Sequence, residues 1–222
     1  MKFTILTLFP NFYSTPLKES ILQRAQDAKQ VEIRIINIRD FTTDKHKTCD
    51  DRPFGGGPGM VMKPEPIFEA VESITNALTP SERKQIRIIT TSAKGKFFTQ
   101  KKASSLASKY NHIILICGHY EGIDERVNQY LADEELCIGP YILTGGEIPA
   151  LIVLDAVTRL IPGVVGNQES TKDESFSVGK EREHPQYTRP ANFRGMKVPE
   201  ILLTGHHANI KTWRKNKVGN SD

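Results

Sequence analysis

Two stretches of this chain join glycine to polar groups where apolar runs end. CGHYEGIDER (117–126) closes the run IILIC (113–117), and IGPYILTGGEIPA (138–150) carries Gly139 and then Gly145-Gly146. In parallel α/β sheets ligands bind at the carboxyl ends of strands, which is where Gly118 and Gly122 would fall. Two such loops together could hold a nucleoside through backbone amides and carbonyls. A third stretch, DDRPFGGGPGM (50–60), sets Gly55, Gly56, Gly57 and Gly59 beside Asp50, Asp51 and Arg52. It reads either as backbone brought against a ligand or as a flexible loop. Asp155 and Arg159 lie four residues apart on a helical stretch. They read either as a surface ion pair worth roughly a few tenths of a kcal/mol, or as an arginine aimed at a substrate oxygen. The histidines show no ligand spacing, and adjacent His206 and His207 point different ways on a helix, which disfavours a structural metal.

Absent motifs narrow the chemistry further. The first apolar run passes into LFPNFY with no GxGxxG, so the dinucleotide fingerprint is missing. The same absence disfavours Rossmann-type methyltransferases with a glycine-rich first turn. No GxxxxGK[ST], HExxH or GxSxG occurs, which removes P-loop, zincin and α/β-hydrolase readings. Cys49, Cys117 and Cys137 form no CxxC and read as reduced thiols, with Cys117 a small buried hydrophobe. The apolar runs are too short to cross a bilayer. MKFTILTLFP stops at Pro10 with no cleavage site after it, so it reads as a first strand, and the expected location is cytoplasmic.

Charge is unevenly placed. The net charge is +4, yet residues 179–222 hold nine basic and four acidic residues. A second zone, 83–109, holds eight basic residues and no acidic one. Two such zones read either as solvated faces or as a surface for a polyanion.

The elements that must position these groups alternate between strand and helix. Strands are expected at 3–8, 31–38 (with Val31, Ile33 and Ile35 inward), 86–91, 113–117 and 135–138. Helices are expected from Thr15-Pro16, over 65–78, near 99–109, near 123–132 and over 147–161. With 222 residues, this pattern predicts an α/β fold around a mostly parallel sheet, with a small helical unit near the C-terminus. The expected division is an α/β domain over 1–162, a flexible linker over 163–190 and a helical domain over 191–222.

Taken together, the motifs resemble the bacterial TrmD-type tRNA (guanine-N1)-methyltransferases of the SPOUT superfamily. The resemblance rests on LFP (8–10), RDFTTDKHKTCDDRPFGGGPGM (39–60), GHYEGIDER (118–126), IGPYILTGGE (138–147), DAVTRLIPGV (155–164), SF (175–176), YTRP (187–190) and Trp213-Arg214. In order and at this spacing, the set runs nearly end to end.

The resemblance implies a sheet domain tied in a deep trefoil knot, and a homodimer whose active site lies at the subunit interface. It implies methyl transfer from S-adenosyl-L-methionine to N1 of the guanosine at tRNA position 37, just 3′ of the anticodon, with Mg²⁺ dependence in many members. The cofactor would be held by Thr90, Thr91 and Ser92, by Gly118, Tyr120, Glu121 and Gly122, and by Ile138, Gly139, Pro140, Tyr141, Ile142, Leu143, Gly145 and Gly146. The anticodon stem-loop would lie across the basic zones with the target base extruded. Guanine N1 carries a proton, so transfer needs a base, and its loss pushes charge onto O6, where a guanidinium suits. The family gives the second role to the residue at Arg159 and the first to an Asp just before Ser-Phe in the linker. Here Asp173-Glu174 stands where the family has Glu-Asp, so register places Glu174 at the base position, with Asp173 one residue earlier. Pro140 replaces the usual Asp after Gly139, and the basic tail beyond Trp213-Arg214 is short.

Overall fold

A computed structural model of the chain describes residues 1–166, 174–176, 181–217 and 219–220. It divides into two compact units, 1–166 and 167–222.

The first unit is built on β1 (Lys2–Thr7), α1 (Ser20–Asp27) and β2 (Glu32–Asn37). The short strands β3 (Asp50–Asp51) and β4 (Val61–Met62) follow, then α2 (Pro64–Thr75) and α3 (Pro80–Arg83). The rest comprises β5 (Ile86–Phe97), α4 (Gln100–Lys109), β6 (His112–Cys117), α5 (Glu125–Tyr130), β7 (Glu134–Cys137) and α6 (Glu147–Thr158). Five strands form one parallel sheet in the order β2-β1-β6-β5-β7. The α/β fold and mostly parallel sheet expected from the sequence are therefore present.

Period-two alternation along β6 explains the two cores. Ile113, Leu115 and Cys117 pack on one face with Leu22 of α1, Leu106 of α4 and Val153 of α6. Ile114 and Ile116 pack on the other with Ile67 and Val71 of α2 and Val127 of α5. With both faces covered, β6 is buried at every position, which is why it reads as an unbroken apolar run.

Some elements differ from the sequence reading. Pro16 opens only a 3₁₀ turn, Pro16–Lys18, and α1 starts at Ser20, whose φ of 51° breaks the helical path between them. In and beside β2, Val31, Ile33 and Ile35 pack on the first core as expected, but Ile36 and Ile38 are buried in the second. Strand β5 runs six residues past the expected end. It pairs with β6 as far as Thr91 and with β7 over Ile89 to Thr91, and after a register shift it pairs with β7 again through Lys96 and Phe97. Gly95 permits this close approach, because a Cβ there would meet the Glu135 backbone at 2.6 Å.

His112, at the start of β6, is 8% exposed, and its Nε2 lies 2.9 Å from Thr4 Oγ1. Burial is the main cause that lowers its pKa to about 4, with Lys2 adding to the effect. Between about pH 6.5 and 4 the unfolded chain takes up a proton that the folded chain does not, so stability falls as pH falls. The expected loss across that window is about 3 kcal/mol. Denaturant titrations should show it in the wild type and show it much reduced in His112→Gln; equal pH slopes would refute the assignment.

In the second unit, Asn192–Phe193 pairs antiparallel with Met196–Lys197 around Gly195, and 181–182 pairs with 219–220. A 3₁₀ turn, Glu200–Leu203, leads to helix α7 (His207–Asn216). Among the described residues no helix is long and apolar enough to cross a membrane.

Candidate active site

A cleft of about 330 Å³ opens where β6 and β7 end. The loops after β6 and β7 converge there on the middle of β5, Thr90 to Lys94. Of the residues expected to hold a cofactor, all but Pro140 line it; Pro140 is exposed and absent from the lining. The sequence reading did not single out His119, Glu125, Asn128, Glu135, Leu136 or Pro149, which line it as well.

Hydrogen bonds hold the polar wall. Thr90 Oγ1 donates to Asn128 Oδ1 at 2.8 Å, and the Asn128 amide reaches Glu125 and Glu135, each at 3.4 Å. Glu125 and Asn128 stand three apart on α5, a spacing that puts them on one face, and that was the available signal for them. His119 packs between the rings of Phe9 and Tyr120, at centroid distances of 4.8 and 4.9 Å. Its Nδ1 is buried, with no hydrogen-bond partner among the described residues.

The 118–122 turn is strapped from below. Glu121 N donates to Met60 O at 3.0 Å, Met62 N to Gly122 O at 2.9 Å, and Asp124 N to Met62 O at 3.0 Å. Gly59, at φ 80°, lies so close to Glu121 that a Cβ would strike its carboxylate. The 50–60 stretch thus supports the cleft through its last glycine, while Gly55, Gly56 and Gly57 stand open and Phe54 is fully exposed.

Beneath the cleft lies a buried cluster. Thr7 Oγ1 donates to Glu147 Oε1 at 2.8 Å, and the Tyr13 hydroxyl donates to Glu147 O at 3.1 Å. That hydroxyl also sits 3.3 Å from Cys117 Sγ. Burial pushes both the phenol and the thiol well above their ordinary pKa, so Cys117 stays protonated and structural, as the sequence suggested.

The glycines do more than face a ligand. Gly146 N donates to Gly118 O at 2.7 Å, so the two loops touch backbone to backbone. A Cβ on Gly146 would strike Thr91 Oγ1 and lie 2.6 Å from Gly118 N; one on Gly118 would lie 3.2 Å from Thr91 O. Gly146→Ala should therefore destabilise the protein by about 3 kcal/mol through overpacking. Gly166→Ala, where nothing lies within 4 Å of the added carbon, should be nearly neutral. Chemical denaturation checks both, and comparable midpoints would refute the close-packing account.

Arg159 immediately follows α6, with its amide donating to Asp155 O at 3.1 Å. It belongs to the first unit and is not part of the cleft lining. Glu174 belongs to the second unit and is half-buried, while Asp173 lies outside the described residues. Beside Glu174, Ser175 Oγ accepts a hydrogen bond from Glu183 N at 2.9 Å.

The chain matches known proteins over its whole length. A family model described as tRNA (Guanine-1)-methyltransferase TrmD matches residues 1–221. A tRNA (guanine-N(1)-)-methyltransferase of Geobacillus kaustophilus (strain HTA426) is 56% identical over 217 residues, covering 98% of this chain and 86% of that protein. A protein of the same name from Bacillus cereus (strain AH820) is 51% identical over 214 residues, covering 96% and 85%.

Proposed function

The chain belongs to the TrmD family of tRNA (guanine-1)-methyltransferases, and from that membership we propose how its residues divide the work. The enzyme methylates N1 of the guanosine at tRNA position 37, 3′ of the anticodon, and so supports maintenance of the reading frame. The supporting observation is the cleft itself, where the ends of β6 and β7 and their two glycine-bearing loops meet the middle of β5, in a chain that matches the family.

S-adenosyl-L-methionine, whose sulfonium supplies an electrophilic methyl group, is the donor that this cleft would hold. The residues present fit it. Leu136, Ile138 and Leu143 offer apolar contact for an adenine, Glu121 and the backbone offer acceptors for hydroxyl and amino groups, and His119 Nδ1 awaits a partner. Among the described residues no group of three or more His, Cys, Asp or Glu could hold a metal ion.

As the bond from N1 to the methyl carbon forms and the C–S bond breaks, the N1 proton passes to a carboxylate, for which we assign Glu174 over Asp173. Arg159 holds the charge that develops on O6. The reading also includes the family's trefoil knot and a homodimer with its active site at the subunit interface. It keeps the division into a 1–162 cofactor domain, a 163–190 linker and a 191–222 helical RNA-binding domain, in a cytoplasmic enzyme. The basic 83–109 and 179–217 zones would meet the phosphates of the anticodon stem-loop.

The deciding experiment is transfer of radiolabelled methyl from S-adenosyl-L-methionine to unmodified tRNA, with the modified position mapped. Label at N1 of G37 is expected. Label on ribose or on another nucleotide, or no transfer at all, would overturn the assignment.

A further inference from the structure

The second unit carries a pocket of its own, about 360 Å³, between the 184–191 segment and helix α7. Its walls bring together His184, Tyr187 and Trp213 with Arg189 and Arg214. The rings do not stack on one another: Trp213 meets His184 at 61° and Tyr187 at 59°, with centroids more than 6 Å apart. Tyr187 is half exposed, so its ring offers a surface for something flat to lie against. Val198, Leu202 and Ile210 give the pocket an apolar side. Among the described residues neither Arg189 nor Arg214 enters an ion pair.

The surroundings indicate the sign of the occupant. Residues 181–217 hold eight Lys and Arg against three Glu. A partner must therefore be anionic yet present a planar apolar face. A phosphate alone has no use for the rings, and an apolar peptide has no use for the guanidiniums. An unstacked nucleotide of single-stranded RNA satisfies both, with its base against the aromatic or Arg planes and its phosphate beside the cations.

We propose that this pocket receives one unstacked base of the RNA substrate, a base other than the one that is methylated. The inference rests on the reading of tRNA as substrate and adds to it a second base-binding site in the second unit. Its role is positioning: the captured base would fix the register of the loop, so that a neighbouring nucleotide is delivered to the methyl donor.

The chain has one tryptophan, Trp213, so indole fluorescence reports on this pocket alone. An unmodified tRNA transcript at saturating concentration, with binding established separately by filter retention, should change Trp213 emission. Transcripts with a single abasic site stepped through the anticodon loop should restore the free-protein emission at one position, which is not G37. Tyr187→Ala should weaken transcript binding by about tenfold, the order that loss of one base–aromatic stack produces. S-adenosyl-L-methionine binding should be unaltered in that variant.

The abasic series uses the wild-type protein, so it decides the matter even if the variant fails to fold. No emission change with bound transcript, the same change at every abasic position, or the same change with heparin overturns the base pocket. Wild type that methylates G37 with no emission change sinks the pocket and leaves the enzyme reading intact. An abasic-dependent change in protein that transfers no methyl supports the pocket and sinks the enzyme reading.

Discussion

Arg159→Lys is expected to lower the single-turnover rate of methyl transfer by about 10²-fold or more, the cost typical of losing a transition-state donor. Affinity for S-adenosyl-L-methionine, measured by calorimetry, should barely move. Charge on O6 develops only as N1 gives up its proton, so the interaction strengthens in the transition state and acts on rate rather than on binding. A planar guanidinium presents two parallel donors to such an oxygen, whereas an ammonium is a compact point charge on a flexible stem. The backbone at Arg159 should survive the change. Val153, Leu154, Val157 and Thr158 of α6 are all buried, and the amide of residue 159 still donates to Asp155 O. The alternative role is a surface ion pair with Asp155, four residues earlier, worth roughly a few tenths of a kcal/mol. Lys would fill that role equally well, so a near-normal rate would return Arg159 to it.

How much of this site could be read from residues alone depended on the length scale of the interactions. The strand β6 was legible because burial on both faces demands an unbroken apolar run, and β1 through Phe3, Ile5 and Leu6 among β-favouring threonines. The loops that end β6 and β7 were legible through their glycines, and the cleft collects both. What glycine does there was only half legible. Gly118 and Gly146 are needed where one loop crosses the other and Thr91, contacts between residues far apart in sequence that no local pattern encodes. The outer part of β5 was missed for a related reason. SAKGKF is polar and exposed, and it is a strand only because β7 pairs with it after a register shift. His119 lay inside a quoted motif, yet its buried unpartnered Nδ1 depends on Phe9 and Tyr120 packing around it. The pocket around Trp213 joins residues from 184–191, 198–203 and 210–214, a meeting of separate segments that no local pattern encodes.

Glu174→Gln is expected to cut single-turnover methylation far more than Asp173→Asn, with S-adenosyl-L-methionine binding intact in both. Both side chains are carboxylates of similar ordinary acidity, so either could accept the N1 proton if it reached it. Register is what separates them. Counted from Arg159, the family's base position falls on Glu174, and the neighbouring Ser175 and Phe176 match the Ser-Phe pair that follows it. The structure adds a physical anchor. Ser175 Oγ accepts from Glu183 N at 2.9 Å, and Phe176 takes a left-handed φ of 68°. Sliding the chain by one residue to bring Asp173 into place would break that hydrogen bond. It would also move a different side chain into a conformation that few non-glycine residues adopt. Keeping register and adding one methylene to the reach asks for less, because an extra CH₂ in an exposed or half-exposed side chain costs only rotamer freedom. Gln keeps the size and the hydrogen-bonding of Glu174 and removes only its basicity, so a rate loss in that variant isolates proton acceptance. The loss should shrink as pH rises, because N1 then sheds its proton to solvent more readily. A larger loss in Asp173→Asn moves the base to that residue, and full activity in both variants refutes a carboxylate base for this enzyme.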